Sequence, residues 1–250
     1  MKNPKSILIT GASSGIGEAL ANEYAASGIK LYISGQNKAR LDHVKKTCES
    51  KGAIVYAELI NVKDETAMKG WLNQCAPLDL VIANAGIGLS YSTDQDLAEH
   101  TKAIFDVNVH GVFNTVHPAI SIMQPAGKGQ IAIISSLAGY FGMSSAPIYS
   151  TSKVCVKAYG EALRGLYQPL GIEINVICPG FVRSRITEQN KFPMPLFMEG
   201  EKAARIIKQG LDKNKAHIAF PWQTKWSFAL LIRLLPSWLL IKIFSKAPQK

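Results

Sequence analysis

The stretch TGASSGIG, residues 10–17, sets the fold class of this chain. It follows a short apolar run, Ser6–Thr10, and it opens an amphipathic stretch, Gly15–Ser27. A glycine-rich turn between a strand and a helix leaves backbone N–H groups free at the helix start, where they and the helix dipole favour phosphate. The turn therefore predicts a dinucleotide site in the first strand–helix unit of a parallel sheet.

Apolar runs and longer amphipathic stretches alternate along the rest of the chain. Further strands are predicted at Lys30–Ser34, Ile54–Glu58, Leu78–Ala83, Gln130–Ser135, Glu173–Cys178 and Ala216–Phe220. Further helices are predicted at Lys38–Ser50, Asp64–Gln74, Asp96–Ile122, Ala146–Leu170 and Glu199–Lys213. This alternation is typical of an α/β fold whose parallel sheet has helices on both faces.

The bulk composition favours one domain in a reducing compartment. A chain of 250 residues with 47% hydrophobic content can bury one sizeable core, and it contains neither a proline- or glycine-rich linker nor an internal repeat. The four cysteines lack paired metal-ligand spacing, so we expect reduced thiols and no metal site. The apolar run at 7–9 is too short for a signal peptide, which predicts a cytoplasmic protein.

The formal net charge of +10 could attract nucleic acid, anionic lipid or an anionic ligand. No zinc finger or aromatic-basic RNA motif is present, so we expect no nucleic-acid partner. For most of the chain we interpret the charge as scattered, solvated lysines.

Tyr149 and Lys153 are four residues apart in the predicted helix Ala146–Leu170, so they share one helical face. A nearby ammonium favours phenolate and lowers the pKa of a tyrosine, which could then exchange a proton with a substrate oxygen. An isolated pair of this kind is more often a surface tyrosine beside a solvated lysine. Its position relative to other motifs decides between the two interpretations.

Six motifs occur in one order: the glycine turn at 10–17, Asn84-Ala85-Gly86, Asn108, Ser136, Tyr149 with Lys153, and Pro179-Gly180. This order resembles the short-chain dehydrogenase/reductase family over about residues 5 to 220. The spacing of the glycines differs from that of the nucleotide-sugar epimerases. The resemblance implies a doubly wound, Rossmann-like parallel sheet of about seven strands in one domain, with the catalytic part at 1–220. The composition of residues 221–250 predicts an apolar helical extension beyond it. It also implies hydride transfer between NAD(P) and a carbonyl or secondary alcohol.

The resemblance assigns four catalytic residues. Tyr149 is expected to be the general acid/base, and Lys153 to depress its pKa and bind the nicotinamide ribose. Ser136 is expected to hydrogen-bond the substrate oxygen, with Ser135 as its rival. Asn108 is expected to hold a water in a proton relay behind Lys153, or alternatively to satisfy backbone groups in its helix.

The resemblance also implies a set of cofactor contacts. These are Gly11, Ser13, Ser14, Gly15, Ile16, Gly17, Gln36, Asn37, Arg40, Asn61, Val62, Asn84, Ala85, Gly86, Tyr149, Lys153, Pro179, Gly180, Val182 and Ser184. No acidic residue follows the second strand to accept the ribose hydroxyl of NAD, while Lys38 and Arg40 offer positive charge. We therefore expect NADP rather than NAD, although Gln36 departs from the Asp and Arg that are common at its position in the family. Asn61 stands where many members have Asp.

Two apolar stretches bear on substrate and partners. The segment 185–200, where the family has its substrate loop, contains FPMPLFM at 192–198, which suggests an apolar or lipid-like substrate unless the segment only packs. Residues 222–246 are apolar and basic, with a proline and an arginine near their centre, and make a poor spanning helix. Two short helices at a membrane interface, packing against a subunit, and covering of the substrate pocket all remain open.

The long helices at Asp96–Ile122 and Ala146–Leu170 resemble those that form family dimers and tetramers, so a homo-oligomer is expected. The alternative to an enzyme that acts on a small-molecule substrate is a non-catalytic protein. It would bind a dinucleotide or serve as a membrane or partner scaffold on the same fold.

Overall fold

The computed structural model describes residues 2–88, 96–188, 193–223 and 233–245. Within these residues a parallel sheet is formed by β1 Ser6–Ile9, β2 Lys30–Gly35, β3 Ile54–Leu59, β4 Leu80–Ala83, β5 Gly129–Ile134, β6 Ile172–Pro179 and β7 His217–Phe220. The strand order is β3-β2-β1-β4-β5-β6-β7, which confirms the doubly wound sheet of about seven strands.

Helices cover both faces of the sheet, as the apolar strands require. They are α1 Gly15–Tyr24, α2 Lys38–Glu49, α3 Glu65–Cys75, α4 Leu97–Phe105, α5 Gly111–Met123, α6 Pro147–Tyr167, α7 Arg185–Glu188, α8 Gly200–Asp212 and α9 Ser237–Ser245. One core contains residues of α1, α2 and α8, such as Leu20, Leu41 and Ile207. The other contains residues of α3, α5 and α6, such as Leu72, Val116 and Leu163. The two apolar cores bury both sides of the sheet.

The topology places a crevice at the carboxyl edge of the sheet. β1 pairs with β2 on one side and with β4 on the other, so successive connections leave β1 in opposite directions. In open α/β sheets a ligand site lies at such a switch point. The glycine turn after β1 and the loop after β4 therefore lie side by side at this crevice.

The predicted helix Asp96–Ile122 is divided in the structure. α4 ends at Phe105, a single wide turn with π-helical hydrogen bonding spans Asp106–His110, and α5 begins at Gly111. Wide turns of this kind often occur at functional sites. Here the turn contains the buried side chain of Asn108.

Two other helices end about one turn earlier than predicted. α1 ends at Tyr24 because Ala25 adopts an extended conformation. α6 ends at Tyr167, and a single 3-10 turn at Gln168–Leu170 follows, because Pro169 has no N–H to continue the helix.

The C-terminal extension is described only in part. Trp222 and Gln223 follow β7, and α9 lies at Ser237–Ser245, so most of the predicted first apolar helix, at 224–232, falls outside the described residues. Across the described part of the chain, no helix has the length and hydropathy needed to cross a bilayer.

Candidate active site

A cleft of about 450 Å³ opens at the carboxyl edge of the sheet and brings most of the predicted residues together. Those that line it are Gly11, Ser13, Ser14, Gly15, Ile16, Gln36, Asn37, Arg40, Val62, Asn84, Ala85, Gly86, Ser136, Tyr149, Lys153, Pro179, Gly180, Val182 and Ser184. They come from separate segments of the chain, which the parallel strands direct to the same edge.

The glycine turn forms the narrow end of the cleft. Gly11 has a positive φ of 67°, and a Cβ there would lie 2.7 Å from the Cα of Ala85. A Cβ on Gly15 would lie 2.9 Å from the Cβ of Ser184. Ser14, the N-cap residue of α1, makes no side-chain capping hydrogen bond. A cradle with no room for side chains, at an uncapped helix start, fits the pyrophosphate of a dinucleotide.

Hydrogen bonds fix the glycine turn to the loop after β4. The Asn84 side-chain amide donates to the carbonyl of Thr10 at 2.9 Å and to that of Gly11 at 3.1 Å. The hydroxyl of Thr10 accepts from the backbone N–H groups of Asn84 at 3.1 Å and Ala85 at 3.2 Å. The two loops therefore form one hydrogen-bonded unit.

Gly17 and Asn61, which were predicted to contact the cofactor, are not among the residues that line the cleft. Gly17 packs under the turn, where a Cβ would collide with the carbonyl of Gly11 and the side-chain amide of Asn84. The Asn61 side chain accepts from the N–H of Lys63 at 3.2 Å and closes the turn before α3. Gly17 therefore allows close packing of the turn, and Asn61 shapes its own loop.

The chain after β2 contributes the cation Arg40 to the cleft, and it contributes no carboxylate there. Gln36, Asn37 and Arg40 line it, and the Asn37 side chain caps α2 by accepting from the N–H of Arg40 at 3.0 Å. Among the described residues, the Nε of Arg40 is buried and has no hydrogen-bond partner. Lys38, the other candidate cation, is exposed and pairs with Asp42 at 2.7 Å.

Tyr149 and Ser136 meet at the opposite end of the cleft, and the pKa prediction for the tyrosine needs correction. The chain after β5 carries Ser136, whose hydroxyl accepts from the N–H of Ala138 at 3.1 Å. Burial raises the pKa of the Tyr149 phenol above its usual value, while a hydrogen bond with Ser136 acts in the lowering direction. The predicted net lowering by Lys153 is wrong for this structure, because desolvation of the buried phenol outweighs the favourable contacts.

Lys153 lies one helical turn from Tyr149, as the spacing predicted. Its Nζ is 5.8 Å from the centre of the Tyr149 ring and donates to the carbonyl of Ile134 at 3.1 Å. Burial lowers the pKa of Lys153 to about 8. The neighbouring Ser135 donates its hydroxyl hydrogen to the Lys153 carbonyl at 2.8 Å, a bond made inside the fold rather than with Tyr149.

Asn108 lies behind the cleft and does not line it. Its side-chain oxygen accepts from the N–H of Ile87 at 2.8 Å, and its amide donates to the Ile87 carbonyl at 3.0 Å. The same amide donates to the hydroxyl of Ser152 at 3.1 Å, and that hydroxyl donates to the carbonyl of Tyr149 at 2.7 Å. These contacts satisfy backbone groups of the loop after β4 rather than of the helix around Asn108, and they connect α6 to that loop. The predicted water relay stays a prediction.

Several residues of the cleft were not predicted. They are Gly35, Ile60, Ile87, Gly88, Val107, Ile134 and Ser135. Many directly precede or follow a predicted contact at the carboxyl end of a strand, which is the signal that could have identified them. Ser135, for example, was considered only as the rival of Ser136.

The predicted substrate segment 185–200 divides into two parts. Arg185, Ile186 and Thr187 of α7 line the cleft. Leu196–Met198 instead lines a second cavity of about 760 Å³ together with Trp222, and Met198 pairs with Val182 in an isolated parallel bridge. Phe192 lies outside the described residues. Leu196–Met198 therefore lies at the second cavity rather than in the cleft.

Comparisons with known proteins agree with this geometry. The family model for short chain dehydrogenase matches residues 5–193. An uncharacterized oxidoreductase of Myxococcus xanthus is 32% identical over 223 residues, which cover 88% of each chain. The 11-beta-hydroxysteroid dehydrogenase-like 2 protein of Arabidopsis thaliana is 31% identical over 237 residues, which cover 90% of this chain and 76% of that protein.

Solved structures show the same fold. A short-chain dehydrogenase from Sphingobium yanoikuyae in complex with NADPH has a TM-score of 0.82 at 24% identity, over 98% of both chains. A short chain dehydrogenase/reductase from Burkholderia phymatum in complex with NAD has a TM-score of 0.81 at 22% identity, over 91% of both chains. The fold and the family match define a nicotinamide-dependent oxidoreductase. The chain belongs to the short-chain dehydrogenase/reductase family.

Proposed function

We propose that this enzyme uses NADP to interconvert an apolar carbonyl compound and its secondary alcohol. The single observation that carries the proposal is that Ser136, Tyr149 and Lys153 line the same cleft as the glycine turn. The nicotinamide, when bound, supplies or accepts the hydride. The chain's own residues orient the substrate and move the proton.

Tyr149 acts as the proton donor to the carbonyl oxygen. Burial raises the pKa of its phenol, so the hydroxyl carries its proton at neutral pH, as reduction requires. Ser136 hydrogen-bonds the same substrate oxygen, and Lys153 hydrogen-bonds the nicotinamide ribose. Asn108 acts indirectly, because its contacts with Ile87 and Ser152 hold the loop and the helix that present these groups.

Arg40 supports the preference for NADP. Its buried Nε has no hydrogen-bond partner among the described residues, and the end of β2 presents Gln36 and Asn37 where an NAD enzyme would present a carboxylate. A guanidinium binds phosphate well because it offers several fixed donors and keeps its charge. We therefore assign Arg40 to the 2′-phosphate of NADP.

The choice of an apolar or lipid-like substrate rests on the walls of the cleft and on one relative. Ile87 and Ile186 line the cleft, and the Arabidopsis relative is named as hydroxysteroid dehydrogenase-like.

We further propose a homo-oligomer and a cytoplasmic enzyme that contacts a membrane surface through 222–246, with subunit packing as the alternative for that segment. The four free cysteines support a reducing compartment.

A spectroscopic assay tests the proposal. Oxidation of NADPH and of NADH is followed at the absorbance band of reduced nicotinamide, with ketones that range from small and polar to large and apolar. We expect turnover with NADPH, and kcat/KM that rises with the apolar area of the ketone. Dinucleotide binding without turnover on any ketone or alcohol would instead favour the non-catalytic alternative.

A further inference from the structure

The C-terminal helix α9 has one packed side and one open side. Leu240 is 2% exposed, whereas Trp238 is 67% and Ile241 is 59% exposed. Residues three and four apart share a helical face, so Trp238, Ile241 and Lys242 lie on one outward arc. Lys242 is exposed as well. The arc therefore combines two large apolar side chains with a cation.

The charge of the surrounding segment is uniformly positive. Residues 213–250 contain seven basic side chains and no aspartate or glutamate: Lys213, Lys215, Lys225, Arg233, Lys242, Lys246 and Lys250. Immediately before α9, Arg233 is exposed and Leu234 is 66% exposed. The apolar surface at this end of the chain thus lies in a segment that attracts anions.

A second copy of the chain fits this arc poorly. Nine residues of helix are about 13 Å long, and one face of that length is far smaller than the roughly 800 Å² per partner of a stable interface. Symmetric pairing of two copies through the arc would also bring the two Lys242 side chains towards each other, which is unfavourable.

A lipid surface fits the same features. An exposed indole beside lysine or arginine suits the headgroup region, and anionic lipids complement the cations. A helix of nine residues is too short to cross the hydrocarbon layer, and it can lie in the interface. Deepening the proposed membrane contact, and without using the catalytic assignment, we infer that the arc of Trp238, Ile241 and Lys242 docks on an anionic lipid surface.

Vesicle sedimentation with the full-length protein tests this inference. The vesicles are phosphatidylcholine alone or phosphatidylcholine mixed with phosphatidylglycerol, and no dinucleotide is present. We expect binding to the mixed vesicles that weakens as salt is raised. The double variant W238Q/I241Q should bind them at least about tenfold more weakly, because the two apolar side chains that enter the lipid are lost. K242E should weaken binding about fivefold.

Matched controls remove similar groups elsewhere. I54Q removes an apolar side chain that is 50% exposed on the edge strand β3, and K69E makes the same charge change on α3. Both should bind within about twofold of the wild type, because neither residue belongs to the arc. Glutamine preserves helix propensity in α9, circular dichroism checks the fold, and K242E provides a second test if the double variant unfolds.

Three results would overturn the inference. The first is a wild type that does not distinguish mixed vesicles from phosphatidylcholine alone. The second is W238Q/I241Q binding as the wild type does. The third is a double variant that sediments as a smaller species while keeping vesicle binding, which would identify a second copy as the occupant. None of these results changes the ketone assay, so failure of the docking surface and failure of the proposed enzyme are distinguishable.

Discussion

The two ends of the cleft differ in whether backbone or side chains form their surface. At the glycine turn the surface is mainly backbone, and added atoms at Gly11 or Gly15 would meet neighbours within 3 Å. At the catalytic end the chemistry belongs to side chains, and burial shifts the pKa of Tyr149 upward and that of Lys153 downward. The first end should therefore be sensitive to atoms that are added, and the second to atoms that are removed.

The largest expected effect is at the catalytic end. Tyr149→Phe removes the phenolic hydroxyl and should lower kcat by at least about two orders of magnitude, because no proton donor remains at that position. The Kd for NADPH should hardly change, since the ring still fills its site. Stopped-flow turnover and fluorescence titration measure the two quantities. Full activity in this variant would refute the role of Tyr149.

The glycine end should respond to a single methyl group. Gly11→Ala places a Cβ 2.7 Å from the Cα of Ala85 and requires a φ of 67°, so we expect the Kd for NADPH to rise more than about tenfold. Gly28→Ala is the control, because Gly28 has a φ of 79° and a Cβ added there would have nothing within 4 Å.

The control separates backbone strain from steric collision. Gly28→Ala should lower the free energy of unfolding by about 1 to 2 kcal/mol and leave the Kd unchanged. Equal losses of NADPH affinity in the two variants would show that general strain, rather than the cradle, determines binding.

A substitution of Arg40 tests whether its charge binds the 2′-phosphate of NADP. Arg40→Gln should raise the KM for NADPH about tenfold, with little effect on NADH, because a charge-assisted hydrogen bond to phosphate is lost. Lys38→Gln makes the same charge change at an exposed position of α2 that pairs with Asp42, and should leave both constants near the wild type. A parallel rise for NADH would argue against contact with the 2′-phosphate.

The smallest effect concerns the pH dependence of stability. Burial lowers the pKa of Lys153 from 10.5 to about 8, so between these values the unfolded chain holds a proton that the native chain has released. The contribution of Lys153 to the free energy of unfolding should therefore rise with pH. From about pH 7.5 to 9.5 the wild type should gain about 1 to 2 kcal/mol relative to Lys153→Met.

Urea unfolding of both proteins across that range measures the difference. Tyr149 is present in both proteins, so its titration does not contribute to the difference. Its raised pKa lowers stability only above 10.0, the pKa of an ordinary tyrosine, which lies outside this pH range. A constant difference between wild type and variant would indicate that Lys153 is not desolvated in the native state.

Local sequence was sufficient to predict which residues line the cleft where their location follows from their position on a strand or helix. The glycine turn after β1, the pair Tyr149 and Lys153 on α6, and Ser136 after β5 all face one cleft, as their spacing predicted. The sheet was predictable for the same reason, because buried parallel strands have continuous apolar sequences. The parts of the extension at 224–232 and 246–250 lie outside the described residues, so the prediction there remains a prediction.

The sequence was least informative where the outcome depends on packing between distant segments. Gly17, a predicted cofactor contact, packs against Asn84, which is far away in sequence. Asn61 is another predicted cofactor contact, and its side chain closes a local turn. Both cofactor contacts stay predictions. The sequence spacing of Tyr149 and Lys153 suggested a lowered phenol pKa, whereas burial of both groups decides the direction in the structure.

By itself, the sequence determined the family, the succession of strands and helices along the chain, and the candidate residues for proton transfer, because these depend on motif order and on periodicity. The tertiary structure decided how deeply Tyr149 and Lys153 are desolvated, where Asn108 makes its hydrogen bonds, and which side of α9 is open. The physical reason is that burial is a property of everything packed around a group, and most of those neighbours are remote in the chain.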